Sequence, residues 1–332
     1  MIPALLSVLL LPLGSGDSGA GPAVSPLRPV NTYSIVARDP ETGQFGVAVQ
    51  SHWFSVGTVV AWAEAGVGAV ATQSLVEVSY GPLALDMLRA GKTASQALVA
   101  LTAADTAPEV RQVAIVDAQG NVATRTGTGC IPEAGHHTGA GYSVQANLME
   151  QNTVWDAMAT AYESAQGDLA ERMLVALEAA QKEKGDIRGQ QSACILVVAG
   201  ESSGRPWEDR IVDLRVEDNP EPLRELRRLL DLQRAYRHMN AGDLAIEKGD
   251  MAGARRDYGA AEALAPGNLE MTYWHAVALA NAGEVEASLP LFRTVFRADP
   301  HWAVLTPRLA AVHILTASPQ DLDRILQGAE AR

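Results

Sequence analysis

Three strand-like segments near the start of the chain constrain its fold most strongly. They are rich in Val, Ala, Ile and Tyr and lie at residues 32–37, 45–51 and 67–74. The turn DPETG joins the first two segments, and in it Pro40 presets φ while Gly43 can take a positive φ, so the pair predicts a β-hairpin. The third segment is apolar at nearly every position, which is typical of a strand covered on both faces. The sequence therefore predicts a layered domain with this strand at its centre.

Helical and extended patterns then alternate along the chain. Helices are predicted at residues 80–90, 94–104, 154–165 and 169–182, and strands at 112–116, 122–125, 142–147, 192–198 and 211–216. An order of strands, helix pair, strands, helix pair and strands predicts an α+β domain built in layers. Beyond residue 216 no strand-like segment follows, so the remainder is predicted to be all-α.

The all-α part contains an internal repeat. Matching positions lie 34 residues apart, and they are Gly249 and Gly283, Ala254 and Ser288, Tyr258 and Phe292, and Pro266 and Pro300. This is the period of the tetratricopeptide repeat (TPR), in which each unit is a helix pair. Because such a stack must cover its last apolar face, a closing helix is predicted at residues 307–325.

Composition excludes some classes of partner and site. A formal net charge of −13 argues against a nucleic-acid partner and against a basic membrane-binding surface. Cys130 and Cys194 are too few for a disulfide scaffold, and they are interpreted as two buried thiols, with a single disulfide as the alternative. Adjacent histidines on one loop, His136 and His137, rarely converge on one ion. The sequence thus predicts neither a metal nor a cofactor.

The N-terminus has the pattern of an export signal. An apolar run at residues 2–13 has the length of a signal-peptide core, and small residues follow it to position 26, although no basic residue precedes Arg28. We expect a periplasmic or secreted protein, with a cytoplasmic protein that has a disordered start as the alternative. The predicted divisions are a signal peptide and linker at 1–30, a layered domain at 31–216 and a helical domain at 217–332.

Several motifs resemble the DUF1028 family. They are TYSIVARDPETG, GVGAVATQS, Tyr80-Gly81-Pro82, DAQGNVA, Ala134-Gly135-His136, Gln145-Ala146-Asn147 and GDIRGQQSA, in that order along the chain. The resemblance implies an Ntn-hydrolase-like fold, which is a four-layer αββα sandwich. The helical region also resembles a tail that follows DUF1028 domains and is described as peptidoglycan-binding. A peptidoglycan fragment or a protein is therefore an expected partner of this tail.

The resemblance implies a specific nucleophile. In Ntn hydrolases a Thr, Ser or Cys at the start of the first strand becomes the N-terminus, and its own α-amine is the general base. An α-amine titrates near pH ~8, so it can accept the hydroxyl proton without a histidine. Thr32 stands at that place, and it could serve only after cleavage between Asn31 and Thr32. Asn147, at the end of a strand, could donate to the oxyanion formed in acyl transfer.

Other polar residues are candidates for substrate binding. They are Ser34, His52, Gln73, Ser74, His136, Asp186 and Arg188. Asp186 and Arg188 could form a charge-assisted pair that clamps a carboxylate or holds a loop. Each of the others has a structural alternative, because a polar side chain at a strand end often packs or caps a loop.

Three functions remain open from the sequence. The first is an exported Ntn-type hydrolase of small amides or peptides, with Thr32 as nucleophile. The second is a non-catalytic protein that kept the sandwich and binds a ligand through its helical repeats. The third is a hydrolase centred on His136, Asp186 and Arg188. A homo-oligomer is a further expectation, since domains of this size often associate through helices.

Overall fold

The structure is a computed structural model that describes residues 30–330, so residues 1–29 of the predicted signal peptide and linker lie outside the described part. The strands are β1 (Thr32–Arg38), β2 (Phe45–Ser51), β3 (Ala61–Glu64), β4 (Gly68–Ser74), β5 (Arg111–Asp117), β6 (Val122–Thr126), β7 (Gly135–Gly139), β8 (Tyr142–Ala146), β9 (Ser192–Val198) and β10 (Arg210–Val216). The helices are α1 (Gly57–Val60), α2 (Tyr80–Arg89), α3 (Ala94–Ala104), α4 (Val154–Ser164), α5 (Leu169–Lys182), α6 (Pro222–Glu247), α7 (Met251–Leu264), α8 (Leu269–Asn281), α9 (Val285–Ala298), α10 (His301–Ala311) and α11 (Pro319–Glu330).

The strands form two antiparallel sheets. One sheet has the order β10-β9-β2-β1-β8-β7, and the other has the order β3-β4-β5-β6. The predicted hairpin is present, since β1 pairs with β2 from Thr32 opposite Ser51 to Arg38 opposite Phe45. The prediction of an α+β chain with a helical C-terminal region is confirmed.

The two sheets pack face to face through an apolar core. Val36, Val47 and Leu196 from the six-stranded sheet meet Ala69 and Ala114 from the four-stranded sheet. Side chains alternate along a strand, so the neighbours of these residues point to the outer faces. This alternation explains why the central strands of both sheets are apolar on both faces.

Helices cover both outer faces. On the six-stranded sheet, Ile35 packs with Met158 of α4 and Leu174 of α5. On the four-stranded sheet, Ile115 packs with Leu88 of α2. The resulting order of layers is helices, six-stranded sheet, four-stranded sheet and helices, and the loops at the sheet ends are left to form a site.

Helix α6 joins the helical region to the layered domain. Its first turns pack on the outer face of the six-stranded sheet. Arg227 and Arg234 bind the Glu171 carboxylate of α5 at 2.5 Å and 2.9 Å. Burial favours a higher pKa for Glu171, but the two guanidinium groups outweigh it and hold that pKa below its usual range.

Two helices of the helical region, α7 and α9, lie 34 residues apart in sequence. Helices α7 and α9 are both 14 residues long and begin at Met251 and Val285, and the matching aromatic residues Tyr258 and Phe292 are both fully buried. The single closing helix predicted at 307–325 is wrong, because the chain forms α10 and α11 there. The helix breaks after Ala311, where His313 takes a left-handed φ of 62°.

Between residues 30 and 330, no helix is both long and apolar enough to cross a bilayer.

Candidate functional site

Most of the predicted site residues lie at one end of the two sheets. There β1, β5 and β7 begin, and β2, β4, β6 and β8 end. Thr32, Ser34, Gln73, Ser74 and Asn147 are buried at this end, between the sheets. The antiparallel order thus collects residues that are more than a hundred positions apart in sequence.

Thr32 lies between two polar neighbours on the same face of the sheet. Ser51 is opposite it on β2, and Asn147 is beside it after β8. The backbone N–H of Asn147 donates to the Thr32 carbonyl oxygen at 3.1 Å. Side chains directly opposite each other in antiparallel strands are in reach of one another. The Thr32 hydroxyl itself donates to the carbonyl oxygen of Val30 at 2.8 Å.

The residues before β1 close the gap between the sheets. Val30 pairs with Ser74 of the opposite sheet through two backbone hydrogen bonds of 2.7 Å and 3.0 Å. Ser74 takes a left-handed φ of 72°, which turns the chain at the end of β4. Because Val30, Asn31 and Thr32 are all fully buried, solvent has no direct access to the Thr32 hydroxyl in this state.

The carbonyl group of Asn31 is held by two donors. The Ser51 hydroxyl and the Arg188 guanidinium both donate to its oxygen, the latter at 3.1 Å. Asp186 fixes the guanidinium by accepting from Arg188 Nε at 3.0 Å and from Nη2 at 2.7 Å. The Asp186 side chain has no solvent exposure, so the ion pair is rigid. The carbonyl of the Asn31–Thr32 bond is therefore polarised by a hydroxyl and a cation.

His52 lies at the rim of the same site. Its backbone amide donates to Asp186 at 3.2 Å, while its side chain is exposed. His52 thus helps to hold Asp186, and its ring is free to meet a ligand at the entrance.

A network of carboxamides fills the space between the sheets behind Thr32. Gln73 accepts from the Ser34 hydroxyl at 2.6 Å and donates to Gln112 at 2.7 Å. Gln145 donates to Ser34 at 2.5 Å, and Asn147 donates to Gln112 at 2.9 Å. Buried networks of this kind are rigid when their members are paired. Ser34, Gln73 and the side-chain nitrogen of Asn147 are thus committed to holding the site together.

His136 lies on the far side of this network. The structure places it on strand β7, so the interpretation of His136 and His137 as loop residues is wrong: β7 pairs with β8 and gives the segment extended geometry. His136 Nδ1 is 2.8 Å from the Thr126 hydroxyl, which in turn accepts from Gln112. Burial, followed by the neighbouring charge of His137, lowers the pKa of His136, which favours the neutral ring.

A cleft opens beside His136. It has a volume of about 580 Å³ and is lined by residues that include Cys130, Glu133, His136 and Trp155. Cys130 and Cys194 are both free thiols, so the alternative of a disulfide is wrong. Burial raises the pKa of both, that of Cys194 to about 12, so neither forms a thiolate readily.

Some buried polar atoms in this region have no hydrogen-bond partner. They are the side-chain nitrogen and oxygen of Asn31 and of Gln50, and Oδ1 of Asn147. A buried polar group of this kind costs about 1–3 kcal/mol when left unpaired. Because the native fold retains these unpaired atoms, they are candidates for contact with a ligand or a reacting group.

Residues 32–226 match the family described as "Family of unknown function (DUF1028)". The chain belongs to this family. A crystal structure of a DUF1028 protein from Silicibacter pomeroyi is similar at 31% identity and a TM-score of 0.54, over 60% of this chain and 88% of the other. No curated protein matches the chain. The DUF1028 match begins at Thr32 and includes Ser51, Asn147, Asp186 and Arg188, whereas Asn31 lies just before it.

Proposed function

We propose that this DUF1028 protein is an exported Ntn-type amidohydrolase whose nucleophile, Thr32, is released by cleavage of the Asn31–Thr32 bond. The carbonyl of Asn31 carries this proposal, because Ser51 and Arg188 both donate to its oxygen. The order of layers supports it, since two facing sheets with helices outside match the αββα sandwich of Ntn hydrolases. Thr32 is also the first residue of β1, as an Ntn nucleophile must be.

The cleavage step needs only groups of the chain and one water molecule. The Thr32 hydroxyl oxygen adds to the Asn31 carbonyl carbon, and the negative charge that forms on the Asn31 oxygen is stabilised by Ser51 and Arg188. The carbon–nitrogen bond then breaks, and the Thr32 nitrogen takes the proton that the hydroxyl has lost. Asn31 is now held as an ester of the Thr32 side-chain oxygen. Water hydrolyses this ester: one of its protons restores the Thr32 hydroxyl, the other goes to the new α-amine, and a carboxylate is left on Asn31.

The released residue has the parts that acyl transfer requires. Its free α-amine titrates near pH ~8 and accepts the hydroxyl proton. Asn147, beside Thr32, has an unpaired Oδ1 that accepts from this amine and holds it in place. Ser51 and Arg188 remain to stabilise the oxyanion of a substrate. The substrate class is a small amide or peptide.

Covalent labelling tests this function. A β-lactone acylates a nucleophilic N-terminal threonine, so we expect the protein to gain one acyl group on Thr32. Peptide mass spectrometry locates the label, and a protein in which Thr32 is preceded by Asn31 serves as the unreactive control. A label on Cys130 or His136 instead, or no label on a chain that starts at Thr32, would overturn the proposed role of Thr32.

We further propose that the helical region binds a ligand. A groove of about 230 Å³ between α6 and α8 is lined by Tyr236, Asp243, Glu270 and Trp274, with no basic residue among its lining residues. Two carboxylates beside aromatic rings favour a cationic side chain. The peptide of peptidoglycan carries such an amine when it contains lysine, and it is the partner we propose.

Calorimetric titration of the full chain with a lysine-containing stem peptide tests this partner. We expect binding to weaken about tenfold in Glu270→Gln, because the substitution removes one of the two carboxylates that contact the amine. A tenfold change corresponds to about 1.4 kcal/mol. The same peptide with an acetylated lysine is the matched control and is expected to bind as weakly. Equal binding of both peptides would rule out this groove as an amine site.

A further inference from the structure

Two buried carboxamides close to the proposed scissile bond have no hydrogen bonds. Asn31 and Gln50 are fully buried, and both the nitrogen and the oxygen of each amide lack a partner. Buried polar side chains are normally paired, because an unpaired buried amide has lost its hydrogen bonds to water without replacement. An apolar side chain at position 50 would avoid this loss, so stability does not explain Gln50.

The sheet register places these two side chains near each other. Gln50 of β2 lies opposite Tyr33 of β1, and Asn31 precedes Tyr33 by two residues. Tyr33 and Gln50 share the face turned away from the Thr32 side chain, and Asn31, directly before β1, falls on that face when the alternation is continued by one residue. Asn31 and Gln50 are therefore diagonal neighbours, a separation that long polar side chains can bridge.

The loop that carries Asp186 covers this face. A Cβ on Gly185 would lie 2.9 Å from the Tyr33 ring, so the loop packs directly on it. Burial and then the charge of Asp186 raise the pKa of Tyr33, which is consistent with a carboxylate near that ring. Tyr33 itself donates to Gln181 at 2.9 Å and so does not pair with Gln50.

We propose that the space left by Asn31 after cleavage is the acyl subsite of the mature protein, and that Gln50 selects acyl groups with a carboxamide side chain. This inference rests on the proposed function. In the uncut chain, the backbone of Asn31 is fixed between the Val30–Ser74 pairing and β1, and its side-chain amide makes no hydrogen bond with Gln50. A separate ligand has no such restraint.

Recognition of a carboxamide by Gln50 follows from its donor and acceptor. A primary amide offers both an N–H group and a carbonyl oxygen, so two such groups can pair at two points. The other contacts of the ligand are expected to be those that Asn31 and Val30 make in the uncut chain. The carbonyl oxygen of Asn31 accepts from Ser51 and Arg188, and the carbonyl oxygen of Val30 accepts from the Thr32 hydroxyl. A site with buried polar groups rejects an apolar analogue, because those groups then stay unpaired.

The test compares two ligands of nearly equal shape. N-acetyl-L-asparagine and N-acetyl-L-leucine are titrated into the cleaved protein by calorimetry. We expect the asparagine ligand to bind at least tenfold more tightly, and Gln50→Leu to abolish that preference. Gln50→Leu is expected to unfold at the same temperature as the natural chain or higher, since it removes a buried unpaired amide. Gln166→Leu, at an exposed position, is the control and keeps the preference.

The outcomes separate this inference from the proposed function. Intact mass first establishes whether the protein starts at Thr32. A cleaved protein that binds both ligands alike, or a Gln50→Leu variant that keeps the preference for asparagine, would overturn the subsite and leave the role of Thr32 standing. A chain that keeps Asn31 would overturn both, because the space would then stay filled. Gln50→Met provides a second apolar variant and is expected to behave like Gln50→Leu.

Discussion

Thr32→Ala is expected to yield a chain that keeps Asn31 and hydrolyses no amide. The substitution removes the hydroxyl that attacks the Asn31 carbonyl, so neither cleavage nor turnover can begin. The fold should remain, because the hydroxyl makes one hydrogen bond, to Val30, and such a bond contributes about 1 kcal/mol. Circular dichroism and intact mass of the purified variant test both parts.

Thr32→Ser is the matched control for this prediction. It keeps the hydroxyl and the α-amine and loses only a methyl group, so it should still be cleaved after Asn31. A Thr32→Ala chain that is cut at the same bond, or that hydrolyses amides at the natural rate, would show that another group is the nucleophile.

Removal of the donors to the Asn31 carbonyl should slow cleavage strongly. For Ser51→Ala we expect a rate about 10²–10³-fold lower, the usual effect of losing one oxyanion donor. Ser51 is the cleaner position, because its loss leaves no buried charge unpaired. The measurement is the fraction of uncut chain against time after refolding, followed by mass spectrometry.

Arg188 provides the cationic half of the same test. Arg188→Met should slow cleavage at least as much, but it also leaves the buried Asp186 carboxylate unpaired, which costs about 3–5 kcal/mol. Arg188→Lys keeps the charge and separates the two effects: it should stay folded, yet cleave slowly, because an ammonium group cannot reproduce both contacts of the guanidinium. Cleavage at the natural rate in Ser51→Ala and Arg188→Lys would contradict the assignment of these donors.

The fold was readable from the sequence where local patterns decide it. The turn between β1 and β2 contains Pro40 and Gly43, and β4 is apolar on both faces, so these strands could be placed within a residue of their observed bounds. The break between α10 and α11 was missed, because the left-handed φ of His313 has no glycine to mark it.

The site was only partly predictable, because its contacts are long-range. Arg188 and Asn31 are 157 positions apart, and the Val30–Ser74 pairing joins two different sheets, so periodicity cannot reveal either. One signal was available: Gln50, Gln112 and Gln145 are amides inside otherwise apolar strands. A polar residue in a fully buried strand must be paired or functional. Whether such a residue is paired or functional depends on how the two sheets pack, which the sequence pattern does not show.

The mass of the mature protein tests the central proposal most directly. The full chain is expressed in a host that exports proteins, purified, and measured by intact mass spectrometry with terminal sequencing. The account predicts a protein that begins at Thr32, and the same cut in purified uncut chain without added protease. A stable mature protein that begins upstream of Asn31 would leave Thr32 without a free amine and would contradict the account.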